Sequence, residues 1–280
     1  MERSKNKERF SVGDTSIKAE FKFKMFGFSY HLPHLLATNQ WGISPTGYVQ
    51  WRLVWAFYHV FCFLYLVLDK AVINPPMPLV WFFYLSIWGY LLLTLNTIVQ
   101  AAVATYTVFS EHPDDGGTPC YLKFAWLLYT VSTELSLEVT ILYLSCGCNG
   151  KISLPSALVH VATSVYVLID MAITATPIRL LHFIYPVGLK CLYIMASAMF
   201  LAAEGTNERD EKFAYSPFDW VYDRGCLKLA LAWTLGGSPV LHFLVWTLSL
   251  FRKWVHDRIS NLGTVNASVE RSIKSKNVHG

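Results

Sequence analysis

Six apolar runs, each long enough to cross a lipid bilayer, dominate this sequence of 280 residues. A transmembrane helix needs about 20 mainly apolar residues. Hydrophobic residues make up 54% of the chain and charged residues 15%, a balance too apolar for an ordinary soluble domain. The sequence therefore predicts an all-α fold, a six-helix transmembrane bundle with helices at about Val49–Leu68, Val80–Thr105, Leu122–Ser145, Ser156–Thr174, Leu180–Ala203 and Leu229–Leu250.

Lysine and arginine residues are concentrated on the two flanks of this region, within a net charge of +4. Basic flanks stay on the cytoplasmic side of a membrane, and an even number of spans brings both ends to one side. The sequence thus predicts cytoplasmic N and C termini. It divides into a cytoplasmic or interfacial tail (residues 1–48), a membrane domain (49–250) and a basic cytoplasmic tail (251–280), with both tails outside the bundle.

The basic tails suggest lipid rather than nucleic acid as a partner. Their charges are sparse and flank membrane helices, so attraction to anionic cytoplasmic lipid is the simpler interpretation. The six cysteines form no Cys-x-x-Cys pair with a matching histidine or cysteine partner, which argues against a zinc site. We expect membrane lipids as partners, a cell-surface protein as a further partner, no nucleic acid, no metal and no cofactor.

Ionisable side chains inside the apolar runs are the main functional signal. A charged or titratable group in hydrocarbon costs several kcal/mol unless it is paired or faces a cavity. The residues that require such an explanation are Glu134, Glu138, His160, Asp170, His182, Lys190 and His242.

Three polar residues on different helices are expected at similar depth. At a rise of 1.5 Å per residue, Ser86, His160 and Glu138 lie roughly 9, 6 and 10 Å from the outer ends of the second, fourth and third helices. A hydroxyl, an imidazole and a carboxylate in a water-poor pocket are the elements of nucleophile, base and orienting group. Ser86, His160 and Glu138 are therefore candidate catalytic residues.

Two other interpretations of these residues stay open. Ser86 can bond to its own helix backbone, while His160 and Glu138 pair with each other or with Asn96 to hold helices together. A channel or transporter with Glu134, Glu138 and Asp170 as ion ligands is a further alternative. The absence of an internal repeat argues against this last class.

The fifth helix carries three more basic groups. Arg179 and His182 lie at its predicted cytoplasmic end, where we expect them to contact lipid headgroups or the interface. Lys190 lies deeper and needs a partner. Asp170, in the inner half of the adjacent helix, is expected to form a structural ion pair with it.

Several sequence segments resemble the rolling stone family of multi-pass membrane proteins. The resemblance runs from about Trp81 to Phe251 and does not cover the N-terminal tail. The run Arg179–Pro186 is its most specific part. The matching segments are Trp126–Thr133, Leu158–Asp170, Thr176–Pro186, Pro217–Trp220 and Pro239–His242.

This resemblance implies a plasma-membrane protein with a part in myoblast fusion during muscle formation. More remotely, the chain is similar to the androgen-induced family of intramembrane hydrolases that cleave fatty acid esters of hydroxy fatty acids with a threonine and a histidine. In that family the threonine follows a Tyr-Leu pair, and here Ser86 follows Tyr84-Leu85 at that position. His160 lies at the position of the family's histidine. Serine keeps the hydroxyl nucleophile, although it replaces the family's threonine.

The resemblance thus implies a rolling-stone-like protein of the plasma membrane that acts in cell–cell fusion. The alternative is a hydrolase in which Ser86 attacks a lipid ester and His160 takes its proton. As a fusion protein, the chain is a scaffold whose loops contact a partner or whose bundle perturbs lipid.

Overall fold

The regular structure of this protein is helical. The computed structural model describes residues 17–73, 79–110, 117–147, 152–206 and 224–278, and no strand occurs within those ranges. Within the same ranges, six helices are long and apolar enough to cross a membrane, which confirms the predicted number of spans. They are α1 (Pro45–Val72), α2 (Leu85–Phe109), α3 (Cys120–Ser145), α4 (Leu154–Ile173), α5 (Leu180–Ala202) and α6 (Leu227–Leu262).

Local sequence signals set the first helix boundary. Ser44 caps α1, since its hydroxyl accepts a hydrogen bond from the Gly47 amide at 3.2 Å, and Pro45 occupies the first turn. The predicted first span began four residues later, at Val49.

Four of the six helices contain or end in a π-helical turn. In α1 and α3 the turn follows the α-helical part, and in α4 and α6 it lies between two α-helical parts. These turns are Asp69–Ile73, Tyr143–Gly147, Leu158–Ala162 and Trp233–Gly237. In each turn one extra residue re-aims the side chains that follow, and such turns frequently occur at functional sites.

α3 lies at the centre of the bundle, where it contacts α2, α4, α5 and α6. Gly89 of α2 permits a close approach to this central helix. A Cβ atom added at Gly89 would lie 3.3 Å from the Leu135 side chain. Because α3 is surrounded by other helices, the polar residues in its middle are buried, including Glu134 and Glu138, each with 0% exposure.

The outer faces of the helices are strongly apolar. On α1, for example, Val54, Phe57, Phe61 and Leu64 are exposed at a spacing of three or four residues. A helix that exposes such a stripe while burying arginine and histidine is suited to lipid rather than water.

The two ends of the bundle differ. We call the end at which α1 begins and α6 extends outwards the base, and the opposite end the mouth. At the base, Arg252 of α6 donates hydrogen bonds to the carbonyls of Met171 (2.8 Å) and Thr176 (3.0 Å). The cation thereby satisfies a carbonyl at the C-terminal turn of α4 and fixes the following connection.

The N-terminal segment packs on the base, contrary to the expectation that residues 1–48 lie outside the bundle. Leu36 and Ala37 are buried against Val103, Leu122 and Trp126. Asn39 forms a bridge with Thr174 at the start of the connection between α4 and α5. Apolar and aromatic side chains in this segment account for the difference, because they gain more from contact with the helix ends than from exposure.

The C-terminal tail begins as a direct continuation of the last span. The helix that starts at Ser238 runs to Val278, well past the predicted end of the membrane domain at Leu250. The motif Pro217–Trp220, part of the family resemblance, lies outside the described residues.

Candidate functional site

The mouth contains a cavity of about 1130 Å³ that is open to the surface. Segments of all six spanning helices line it. The walls include Leu66 of α1, Ser86 of α2, Glu138 of α3, His160 of α4, Ile194 of α5 and Thr234 of α6.

All four π-helical turns contribute to this cavity. Its lining includes Asp69, Tyr143, His160 and Trp233, one from each turn. The π-helical turns of four different helices thus line one cavity. This convergence makes the mouth cavity the best candidate for a functional site.

The structure brings the three predicted catalytic residues to the same cavity. Ser86, Glu138 and His160 all line it. The His160 ring stacks on the Tyr143 ring with centroids 4.0 Å apart and planes 6° from parallel. Whether these residues act chemically stays a prediction.

A polar contact between α3 and α4 supports the turn that carries His160. The Thr140 hydroxyl donates a short hydrogen bond to the His160 carbonyl, which a regular helix would bond internally. Ser164 lies 2.6 Å from Thr140 and donates to the Ser136 carbonyl at 3.0 Å. The irregular backbone is therefore stabilised by side chains of the neighbouring helix.

Glu138 forms an ion pair with Lys190 at the deep end of the cavity. Its Oε2 atom lies 2.6 Å from the Lys190 Nζ, and its other oxygen accepts a hydrogen bond from the Trp233 indole. Both carboxylate oxygens are thus bound to groups other than His160. The arrangement does not provide the orienting carboxylate that the catalytic interpretation assigned to Glu138.

A second carboxylate extends this cluster towards the base. Glu134 Oε1 lies 3.7 Å from Lys190 Nζ and accepts a hydrogen bond from Ser238 at 2.6 Å. Its Oε2 lies 2.6 Å from His242 Nδ1, while His242 Nε2 lies 2.9 Å from the Arg179 carbonyl.

The geometry of His242 fixes the charge of this buried cluster. The Arg179 carbonyl can only accept a hydrogen bond, so His242 Nε2 carries a hydrogen. The contact between His242 Nδ1 and the Glu134 carboxylate requires one further proton between the two atoms. Two carboxylates are then balanced by the lysine and that proton. The cluster is formally neutral, which is how apolar surroundings tolerate so many ionisable groups.

The predicted ion pair between Asp170 and Lys190 is wrong. Asp170 instead lies 2.6 Å from Arg52 Nη1 and accepts a hydrogen bond from the Trp51 indole at 3.3 Å. The central helix α3 contacts both α4 and α5. Lys190 of α5 therefore meets Glu138 of α3, while Asp170 of α4 meets α1.

Arg52 also binds a second partner. Its Nε and Nη2 atoms donate to the Tyr48 hydroxyl at 2.9 and 2.6 Å. Tyr48 in turn lies 3.2 Å from the Thr174 hydroxyl at the end of α4. One arginine thus links the first turns of α1 to the base of α4.

Arg179 and His182 are buried at the base and bind the N-terminal segment, which differs from the expected contact with lipid headgroups. Arg179 donates hydrogen bonds of 2.5 Å to the carbonyls of Gly27 and Ser29, and its guanidinium stacks 4.7 Å from the Trp126 ring. His182 Nε2 lies 3.2 Å from the Gly27 carbonyl. The folded N-terminal segment occupies the place that the prediction assigned to lipid.

Burial changes the titration of groups in this contact. It lowers the pKa of the Arg179 guanidinium, an effect that the Glu20 carboxylate opposes. It raises the pKa of the Tyr30 hydroxyl, an effect that Arg179 opposes. Both shifts have the sign expected when a charged form loses contact with water.

Sequence reasoning missed Trp233 and Ser238 as partners of the buried carboxylates. A usable signal existed for Ser238, because it precedes His242 by four residues and so shares one face of α6. Trp233 offered no comparable signal, since its direction depends on the π-helical turn that it begins.

The fold and the charged interior define a multi-pass helical membrane protein. A family model described as "Protein rolling stone" matches residues 10–265, and this chain belongs to that family. The protein rolling stone of Drosophila melanogaster is 25% identical over 250 residues, which cover 83% of this chain and 87% of that protein. No solved structure matches the chain.

The family match extends further towards the N terminus than the resemblance seen in the sequence. It begins at residue 10 rather than near Trp81. The added region includes the segment that packs on the base and the helix α1, which carries Arg52. The family match therefore covers the N-terminal segment as well as the membrane helices.

Proposed function

We propose that this protein acts at the plasma membrane in cell–cell fusion, such as the fusion of myoblasts during muscle formation. The observation that supports this function is the family match over residues 10–265. We further propose that both termini face the cytoplasm, so that the mouth faces outwards.

The structure favours a scaffold as the mechanism of this role. Two separate buried ion pairs, Arg52–Asp170 and Lys190–Glu138, join helices that are distant in sequence. Buried charge pairs penalise alternative packings, because any rearrangement that separates them leaves a charge in hydrocarbon. Such a bundle is suited to presenting its mouth in a fixed arrangement to a partner on an apposed cell.

The test is depletion and rescue in myoblasts of the protein's own species. Two populations carry complementary halves of a cytoplasmic reporter, and fusion is measured as reporter reconstitution. We expect depletion to reduce fusion and a depletion-resistant wild-type copy to restore it. Unchanged fusion after complete depletion would contradict the proposal.

A matched control tests the site of action. A rescue copy with a cytosolic dilysine retrieval signal at its C terminus is held in the endoplasmic reticulum only if that terminus faces the cytoplasm. We expect this copy to fail in the fusion assay and to escape labelling by a surface biotin reagent. Full rescue without surface labelling would rule out a role at the plasma membrane.

A further inference from the structure

We propose that the mouth cavity binds a neutral single-chain lipid whose polar head carries hydroxyl, amide or ester groups. The inference does not depend on the role in fusion. It rests on the size of the cavity, the distribution of its apolar and polar walls, and the balance of its charges.

The size of the cavity suits one acyl chain with a small head. Its volume of about 1130 Å³ lies slightly above the roughly 300–1,000 Å³ typical of small-molecule sites. At about 30 Å³ for a group the size of water or methylene, it holds roughly 35–40 such groups. A phospholipid with two chains and a phosphate head exceeds this space.

Many of the lining residues are apolar. Those that we call the apolar side include Leu85 and Ile87 of α2, Val139 and Leu142 of α3, and Ile194 of α5; the same helices also carry the polar lining residues Ser86, Glu138 and Lys190. Water forms no hydrogen bonds with such a surface, whereas an acyl chain that moves from the bilayer into the cavity keeps apolar surroundings. Because the cavity lies within the spanning bundle, lipid is also the class of ligand present there at the highest concentration.

Polar residues without a formal charge, which we call the polar side, line the cavity where α3 ends and α4 begins. Ser145 near the end of α3 and Ser153, Ser156 and His160 near the start of α4 supply hydroxyl and imidazole groups. These groups form hydrogen bonds with a hydroxyl, amide or ester and give no preference for a full charge. The head of the lipid is therefore placed against the start of α4, and its chain along α2, α3 and α5.

The ionic groups of the lining cancel. Asp69 and Glu138 contribute two negative charges, and Lys70 and Lys190 contribute two positive charges. Glu138 and Lys190 are already 2.6 Å apart. A carboxylate or ammonium head would enter without a net opposite charge to offset the loss of its hydration, so the charge balance favours a neutral head.

The experiment uses the purified full chain in phosphatidylcholine vesicles that contain a monoacylglycerol bearing a diazirine and an alkyne. Irradiation fixes the bound lipid, and mass spectrometry maps the adducts. We expect adducts of the chain in residues 85–87, 138–142 and 190–194, which line the cavity on α2, α3 and α5, and competition by unlabelled monoacylglycerol. Adducts confined to exposed outer faces, such as Val54 to Leu64, would overturn the proposal.

Cavity-filling variants provide the decisive comparison. Ile194→Trp fills the apolar side, and its matched control Leu192→Trp adds the same ring to an exposed site on the same helix. We expect labelling of the cavity peptides to fall by about tenfold, equivalent to roughly 1.4 kcal/mol, in the first variant and to stay unchanged in the second.

A second pair protects the test against misfolding of Ile194→Trp. Ser156→Trp narrows the polar side, and Leu154→Trp is its control at an exposed position of the same helix. Monodisperse elution and an unchanged melting temperature establish folding for each variant. Undiminished labelling in a folded Ile194→Trp or Ser156→Trp protein would refute the site.

Charged analogues test the neutrality of the head. The same diazirine chain is attached to a carboxylate or to a primary amine. We expect either analogue to label the cavity at least about tenfold less than the monoacylglycerol at equal membrane concentration. Equal labelling by a charged analogue would overturn the assignment of a neutral ligand.

Discussion

Lys190 Nζ lies 2.6 Å from Glu138 and 3.7 Å from Glu134, and all three side chains are buried at the centre of the bundle. The lysine therefore stands between two carboxylates of one helix, spaced by a single helical turn. Without it, the Glu138 carboxylate would have no cation beside it in a region from which water is excluded. The stability of the bundle should depend on this cation more than on any exposed lysine.

Replacement of Lys190 by methionine should destabilise the protein by about 3–5 kcal/mol, because it leaves a buried carboxylate without its partner. The measurement is the free energy of unfolding from denaturant titration in detergent micelles. Lys123→Met, at an exposed position of α3, is the matched control and should change stability by less than about 0.5 kcal/mol.

The double variant Glu138→Gln with Lys190→Met distinguishes charge from packing. Neutralising both partners removes the unpaired charge, so we expect much of the lost stability to return. If the double variant is as unstable as Lys190→Met alone, the lysine acts through its packing and not through the ion pair.

Arg52→Lys should lower stability by about 1.5–3 kcal/mol, since hydrogen bonds to charged groups contribute that much. Arg52 binds Asp170 with one nitrogen and Tyr48 with two others. A lysine has a single nitrogen and cannot reproduce this fork. Thermal unfolding of Arg52→Lys is compared with that of Arg258→Lys, at an exposed position, and equal melting temperatures would contradict the assignment.

The six spans could be predicted from the sequence because each segment must be long and apolar enough to cross the bilayer, whichever helices surround it. The partners of the buried charges depend instead on which helices pack against each other. Asp170 and Arg52 are 118 residues apart, and no local pattern connects them. Because α4 and α5 are consecutive helices, the sequence predicted that Asp170 pairs with Lys190. That prediction is wrong because Lys190 contacts Glu138 of the central helix α3.

The mouth cavity was predictable only in part. Depth along regular helices correctly brought Ser86, Glu138 and His160 to one region. The π-helical turns that shape the cavity were not predictable, because a one-residue insertion in the helical hydrogen-bond pattern leaves no mark in the spacing of apolar residues. The aromatic residues Phe26, Phe28 and Tyr30 are unusual in a solvated tail and are a sequence signal for the N-terminal contact.

Loss of the Arg179 side chain should release the N-terminal segment from the base. Arg179→Gln removes the charge-assisted bonds to the carbonyls of Gly27 and Ser29. Each is worth about 1.5–3 kcal/mol, so amide hydrogen exchange in residues 26–38 should accelerate at least about tenfold. Arg258→Gln is the control, and unchanged exchange in Arg179→Gln would show that the segment is held by other contacts.

Serine-directed labelling tests whether the mouth cavity has an activated nucleophile. We expect a fluorophosphonate reagent to label the wild-type protein no more than Ser86→Ala, for a reason visible in the structure. Glu138 is bound to Lys190 and Trp233, and His160 Nδ1 has no hydrogen-bond partner in the described part of the chain. A histidine that serves as a general base is normally held in its tautomer by such a partner. Labelling that is present in wild type and lost in both Ser86→Ala and His160→Ala would reverse this expectation. It would identify the cavity as the active site of a hydrolase, in which Ser86 is the nucleophile and His160 the base.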